Sequence, residues 1–173
     1  MEEEAPTLSR QTIPKMNTIQ YIKGDATSPQ TKGNKIIAHI CNDIGGWGKG
    51  FVVAVSKKWP TPEESYRLWY KERAKNDFQL GAVQIVPVSE TISVANMIGQ
   101  RGIKSGKQGV PIRYAAVEGC LEKVAQFAKE NEASIHMPRI GCGLAGGKWE
   151  CIEPLILKAI LNTKISVYVY DFD

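Results

Sequence analysis

The stretch Met137 to Gly147 (Met-Pro-Arg-Ile-Gly-Cys-Gly-Leu-Ala-Gly-Gly) constrains this chain more than any other segment. It follows a short apolar run, Ala133 to His136, that reads as a buried strand, and it precedes a helix-like stretch beginning near Trp149. Four glycines within seven residues (141, 143, 146 and 147) permit positive φ and let backbone N–H groups approach a ligand with no Cβ in the way. Such a turn beside a helix N-terminus makes a site for phosphate or diphosphate. A merely flexible glycine-rich loop has the same composition, so this segment alone does not decide.

A second segment does. Cys41-Asn42-Asp43-Ile44-Gly45-Gly46-Trp47-Gly48-Lys49-Gly50 also follows an apolar strand, Lys35 to Ile40, and leads into a helix-like run, Phe51 to Lys58. Ligands of open α/β sheets bind where strand C-termini deliver such loops onto one edge, so two of them can close on one anion. Neither loop fits G-x-x-x-x-G-K-[ST]: Lys49 is followed by Gly50, leaving no hydroxyl for Mg²⁺. The Rossmann G-x-G-x-x-G is absent from the first βα turn, where Gly24-Asp25-Ala26-Thr27 stands. The pattern excludes a nucleotide-hydrolysing P-loop.

The 173 residues suit one domain with a sizeable core. Residues 1–15 are polar and acidic with two prolines and no periodicity, which predicts a disordered extension, and the domain proper is expected over 16–173. With 43% apolar and 23% charged residues the composition is that of an ordinary globular protein. A formal charge of +4, scattered along the chain, is a weak pointer to an anionic partner and marks no nucleic-acid groove. The four cysteines (41, 120, 142, 151) lack C-x-x-C spacing, so no metal site is expected, and reduced thiols fit a cytoplasmic protein. The apolar runs are too short to span a membrane, and the glutamates at positions 2–4 are unlike a signal peptide.

Strands are predicted over 18–23, 35–41, 82–88, 92–98, 133–138 and 165–170. Helices are predicted over 51–58, 62–75, 111–130 and 151–161, the second capped by Thr61 with proline at its first position. In the longest, Ala116, Cys120, Val124 and Phe127 form an apolar stripe. Alternation of strands and helices implies a mostly parallel sheet covered on both faces, a three-layer α/β/α domain.

On Tyr21-Ile22-Lys23-Gly24-Asp25, Trp47-Gly48-Lys49-Gly50, His136-Met137-Pro138-Arg139-Ile140-Gly141 and the terminal Val169-Tyr170, the chain resembles a macrodomain over residues 18–172. The resemblance is closest to the branch holding the terminal ADP-ribose protein glycohydrolase and the macrodomain of the human chromatin remodeller amplified in liver cancer. It implies a three-layer α/β/α fold with a mixed, mostly parallel central sheet. It also implies binding of ADP-ribose, free or carried by protein or nucleic acid, by a monomer with no cofactor or membrane partner. It assigns Asp25, with Ala26 beside it, to the adenine amino group, although Asp after Gly24 also suits a plain turn. Tyr170 would stack on adenine, or serve as a core tyrosine. Gly46, Trp47, Gly48, Lys49 and Gly50 would surround the distal ribose and one phosphate. Gly141, Cys142, Gly143, Leu144, Ala145 and Gly146 would wrap the diphosphate with backbone amides, and Arg139 and Ile140 before them would also contact the ligand.

The glycohydrolase branch uses a lysine that attacks C1″ and an aspartate in the second loop; their places fall at about Gln100 and on Ala145. Glutamine forms no Schiff base and alanine transfers no proton, so that covalent route is closed. Lys104 and Lys107 lie nearby and read as solvated loop charge. The other large branch activates water through an asparagine and the substrate phosphate, which points to Asn42 and Asp43 as the catalytic pair. Asp43 is the only carboxylate in either glycine loop, and a loop-capping role is its alternative. His39 and His136 alternate with apolar residues and read as core histidines; Cys142 reads as a small filler. The expected function is ADP-ribose binding with hydrolysis of an ADP-ribosyl adduct or O-acetyl-ADP-ribose. The alternatives are a non-catalytic reader and an ADP-ribose 1″-phosphate phosphatase.

Overall fold

The computed structural model describes residues 18–172. The N-terminal extension expected over residues 1–15 lies outside them. The elements run β1 (Ile19–Lys23), β2 (Lys35–Asn42), α1 (Phe51–Lys58), α2 (Thr61–Lys71), a 3-10 turn (Arg73–Lys75), β3 (Val83–Pro87), β4 (Ile92–Gln100), α3 (Tyr114–Glu130), β5 (Ser134–Met137), α4 (Trp149–Ala159) and β6 (Val167–Asp171). The six strands form one sheet in the order β1-β6-β5-β2-β4-β3. Every neighbouring pair is parallel except β3 with β4. The mixed, mostly parallel α/β/α sandwich is therefore present.

The central strand shows why the sequence folds this way. β2 is buried on both faces: Ile36 and Ala38 join the core under α3 and α4, whereas Ile37 and Cys41 join the core under α1 and α2. A strand wet on neither face reads as a continuous apolar run, as Lys35 to Cys41 does. Its neighbour β4 divides likewise, with Ala95 and Met97 on one side and Val94 and Ile98 on the other.

The structure differs from the sequence expectations at helix ends. Thr61 is the first residue of α2 rather than its cap; Pro60 occupies the cap position and no side chain caps the helix. The helix stops at Lys71 instead of residue 75, because Asn76 turns back and its Nδ2 donates to the Trp69 carbonyl at 2.9 Å. Helix α3 starts three residues later than predicted. Residues 111–113 are held as a strap, the Ile112 N–H donating to the Ala145 carbonyl and the Pro111 carbonyl accepting from Arg101 N–H. The buried line of α3 is Val117, Cys120, Leu121, Val124, Ala125 and Ala128, with Ala116 and Phe127 on its flank.

This topology positions the site. β1, β6, β5, β2 and β4 run the same way, so Gly24-Asp25, Tyr170, both glycine loops and Gln100 all emerge at one edge of the sheet. The pairing of β2 with β5 makes the two loops direct neighbours.

Candidate functional site

Two contiguous concavities line that edge. The first, about 560 Å³, is walled by Asp25, Ala26, Phe51, Val53, Tyr170 and Phe172 among others. The second, about 220 Å³, lies between the glycine loops, with Lys49, Gln100 and the run from Pro138 to Ala145 (Cys142 excepted) on its walls. Gly50, Phe51 and Pro138 belong to both, so one elongated ligand can occupy the two together. A cavity of about 570 Å³ at the opposite edge, between Lys32, Asn34, Ser134 and Lys164, contains none of the predicted residues.

In the wider slot, Asp25 Oδ1 accepts from the Thr27 N–H at 2.8 Å and the Thr27 hydroxyl at 2.7 Å. Its turn role is real, yet Oδ2 takes no bond from any described residue and is available to a ligand donor. Tyr170 is nearly buried; its hydroxyl lies 2.7 Å from His136 Nδ1, which fixes the ring in the wall, and burial pushes its pKa up to about 12. Phe172 is 78% exposed at the rim. Sequence reasoning passed over it, although Tyr168, Tyr170 and Phe172 alternate along one face of the last strand and its exit.

The first loop splits into a structural half and a ligand-facing half. Asn42 is buried; its Oδ1 accepts from the N–H groups of Ile44 and Gly46, and its Nδ2 donates to the Gly46 carbonyl. The buried Tyr66 hydroxyl lies 2.7 Å from the Asn42 carbonyl and 2.8 Å from its Oδ1. A side chain so committed holds the loop. Asp43 Oδ1 accepts from the Gly102 N–H at 2.8 Å and ties this loop to the one after β4; Asp43 is not among the residues walling either concavity. Gly45 fits only without a Cβ, which would stand 2.5 Å from the Tyr70 ring. Trp47 turns inward against Tyr66, donating from Nε1 to the Ser56 hydroxyl, so it anchors the loop. Gly46 packs on Asn42 and Gly48 is exposed outside the cleft, while Lys49 and Gly50 wall it.

Beyond Gly50 the chain enters α1 with no side-chain cap and no acid in the first turn. The N–H groups of Phe51 and Val52 have no acceptor among the described residues. These are the orphan donors of a helix start, and the helix dipole makes them favour an anion.

The second loop supplies more donors. Its internal bonds run from Cys142 N–H to the Arg139 carbonyl, from Gly146 N–H to Gly143, and from Gly147 N–H to Gly141 at 2.7 Å. The N–H groups of Ile140, Gly141, Gly143, Leu144 and Ala145 meet no acceptor among the described residues. Gly141, at φ 71°, leaves room for Ile112, whose Cδ1 would be 2.6 Å from an added Cβ. At Gly143 an added Cβ meets nothing within 4 Å. The Arg139 guanidinium donates to both Asp171 oxygens, at 2.7 and 3.1 Å, and lies over the Tyr21 and Trp149 rings. Cys142 and Gly146 face away from the cleft, the thiol donating to the Ile140 carbonyl with its pKa raised by burial.

Gln100 walls the far end and donates to the Gly102 carbonyl, and Ala145 is beside it. Lys104 and Lys107 are exposed. All four cysteines are free, and among the described residues no cluster of His, Cys, Asp or Glu could hold a metal. Among the described residues no helix is long and apolar enough to cross a membrane.

The buried histidines give a pH signature. Burial lowers both His39 and His136 to about 4 from an unfolded value near 6.5. Above about pH 6.5 both rings are neutral in either state. Between about 6.5 and 4 only the unfolded chain takes up the protons, so stability falls with pH by roughly 3 kcal/mol per ring at the lower limit. Urea midpoints should decline from pH 7 to pH 5, and His136→Gln should flatten the decline. A midpoint constant over that range would contradict neutral burial.

No family model matches the chain. The search of known proteins finds the mouse chromodomain-helicase-DNA-binding protein 1-like, 32% identical over 168 residues; the match takes in 90% of this chain but 18% of that protein. Such relatives are thus several times longer than this chain. An ADP-ribose 1″-phosphate phosphatase of Candida albicans is 30% identical over 158 residues, covering 87% of this chain and 99% of the relative. Among solved structures, a macrodomain protein from Streptomyces coelicolor superposes with a TM-score of 0.81 at 55% identity, covering 90% of this chain and 99% of that one. Superposition over nearly the whole of both chains, with more than half of the aligned residues in common, means that the chain belongs to the macrodomain family.

Proposed function

We propose that the protein binds ADP-ribose across the two concavities and hydrolyses a bond to its distal ribose. The observation that carries the binding is the array of unpartnered N–H groups, from Gly143, Leu144 and Ala145 on one side and Phe51 and Val52 on the other, around a cleft that also contains Lys49. A diphosphate satisfies such donors with charge-assisted hydrogen bonds, each shorter and stronger than a neutral one. On one side the wider slot has an aromatic wall at Tyr170 and Phe172 and an open carboxylate oxygen at Asp25, features that suit adenine and its amino group. On the other side the narrower cleft, about 220 Å³, would take the distal ribose beyond the diphosphate.

Hydrolysis is supported by the phosphatase relative, which this chain matches over nearly its whole length. That relative's name favours a second reading, removal of a 1″-phosphate, over cleavage of an ADP-ribosyl adduct or O-acetyl ester. No carboxylate walls the narrower cleft. Water activation is accordingly assigned to the substrate's own phosphate, and Asp43 acts through the Gly102 bond that shapes the far wall. An ADP-ribosylated protein or nucleic acid would present its modified end at this open edge to a monomeric, cytoplasmic domain.

Calorimetry should give a micromolar dissociation constant for ADP-ribose, about 7–8 kcal/mol. Gly143→Glu should abolish binding with the fold intact, since the Cβ has room while the carboxylate enters the anion site. A folded Gly143→Glu protein that binds like the parent would remove the second loop from the site.

Turnover should be measured on ADP-ribose 1″-phosphate, O-acetyl-ADP-ribose and ADP-ribosylated protein and nucleic acid in parallel. On whichever substrate is consumed, Asp43→Asn should retain most activity because its Oδ1 still accepts from Gly102, whereas Asp43→Ala should not. If both variants lose about 10²-fold, Asp43 is a base after all. Consumption of none would leave the reader alternative.

A further inference from the structure

One buried side-chain polar atom among the described residues has no hydrogen-bond partner, and it is His39 Nδ1. The residue is 1% exposed in β2, walls the narrower cleft beside Lys49 and Ala145, and has no part in the function derived above. Its protonation is dictated from behind. Asn96 faces it across the β2–β4 register, and Asn96 Nδ2 donates to the Pro62 carbonyl at 3.2 Å and to Gln84 Oε1 at 3.0 Å. A proline carbonyl can only accept, so the amide is fixed with Oδ1 towards His39 Nε2, 2.6 Å away. An acceptor there requires Nε2 to carry the proton, and Nδ1 is left as a bare lone pair.

The surroundings offer that lone pair nothing. The Trp47 ring stands edge-on at 5.3 Å with its N–H spent on Ser56, and the Phe51 ring lies at 5.8 Å. The Cys41 thiol lies 3.8 Å away on the Nε2 side. Burial holds the ring neutral at physiological pH. A buried acceptor without a donor is costly, and a ligand that brings one recovers that cost on binding.

Of the parts of ADP-ribose, adenine and its ribose belong to the wider slot, and the ionised diphosphate can only accept. The distal ribose alone brings hydroxyl donors into this cleft. We propose that His39 Nδ1 accepts a hydrogen bond from a hydroxyl of the distal ribose, making His39 a specificity contact that separates ADP-ribose from ADP. The proposal rests on the ADP-ribose reading above.

The test uses ADP-ribose and ADP in parallel on the ¹⁵N-histidine-labelled protein. The chain has two histidines, so His136→Gln assigns the spectrum. The His39 Nδ1 resonance should move from the free lone-pair position towards the hydrogen-bonded one with ADP-ribose and stay in place with ADP. His39→Phe should weaken ADP-ribose about tenfold or more, to the level of ADP, and leave ADP unchanged. An Nδ1 signal unmoved by saturating ADP-ribose, or moved equally by both ligands, would overturn the proposal even if the variant fails to fold. So would a folded His39→Phe protein that binds ADP-ribose like the parent. Failure of the parent to bind either ligand would be a different result, overturning the ADP-ribose reading and this contact with it.

Discussion

Parallel pairing of β2 with β5, from Lys35 opposite Ser134 to Ile37 opposite His136, sets the geometry of everything functional in this molecule. Because the strands point the same way, the loops that leave them are neighbours, and their glycines bring two sets of backbone donors within reach of one anion. A shift of one residue would turn every side chain of β2 to the wrong face. The packing resists it: Ile36 and Ala38 are completely enclosed on one side, Ile37 on the other.

Around that frame the two loops divide the work. The first is pinned from below, by the Asn42 amide, the Tyr66 hydroxyl and the inward-facing Trp47, so that Gly50 and the start of α1 present their donors at a fixed position. The second is tied to its own backbone and to the strap before α3, which leaves the amides of Gly143 to Ala145 facing the cleft. Preorganised donors of this kind need no rearrangement to meet a diphosphate. The same economy holds beneath the cleft, where Asn96 sets the tautomer of His39.

The elements and the glycine loops were legible in the sequence because period, apolar runs and glycine clusters are local signals. The positions of Asp25 and Tyr170 at strand ends were legible as well, while the roles given to them come from the resemblance to macrodomains. What could not be read was the direction of a side chain within a loop. Trp47 reads as a ligand contact until Ser56 and Tyr66, from two different helices, are seen to draw it inward. Arg139 reads as a ligand contact, yet Asp171, 32 residues away, holds its guanidinium. Asn42 and Asp43 read as a catalytic pair because elimination left them, yet Asn42 Oδ1 accepts from the Gly46 amide and Asp43 Oδ1 from that of Gly102. Phe172 escaped notice because it stands just beyond the last strand. Each depends on a tertiary neighbour.

The claim that backbone amides of both loops grip one diphosphate is open to amide chemical-shift mapping during titration with ADP-ribose and with ADP. The account predicts that either ligand moves the signals of Gly143, Leu144, Ala145, Phe51 and Val52 together, with one common dissociation constant per ligand. Shifts confined to a single loop, or centred on the cavity at the opposite sheet edge, would contradict it.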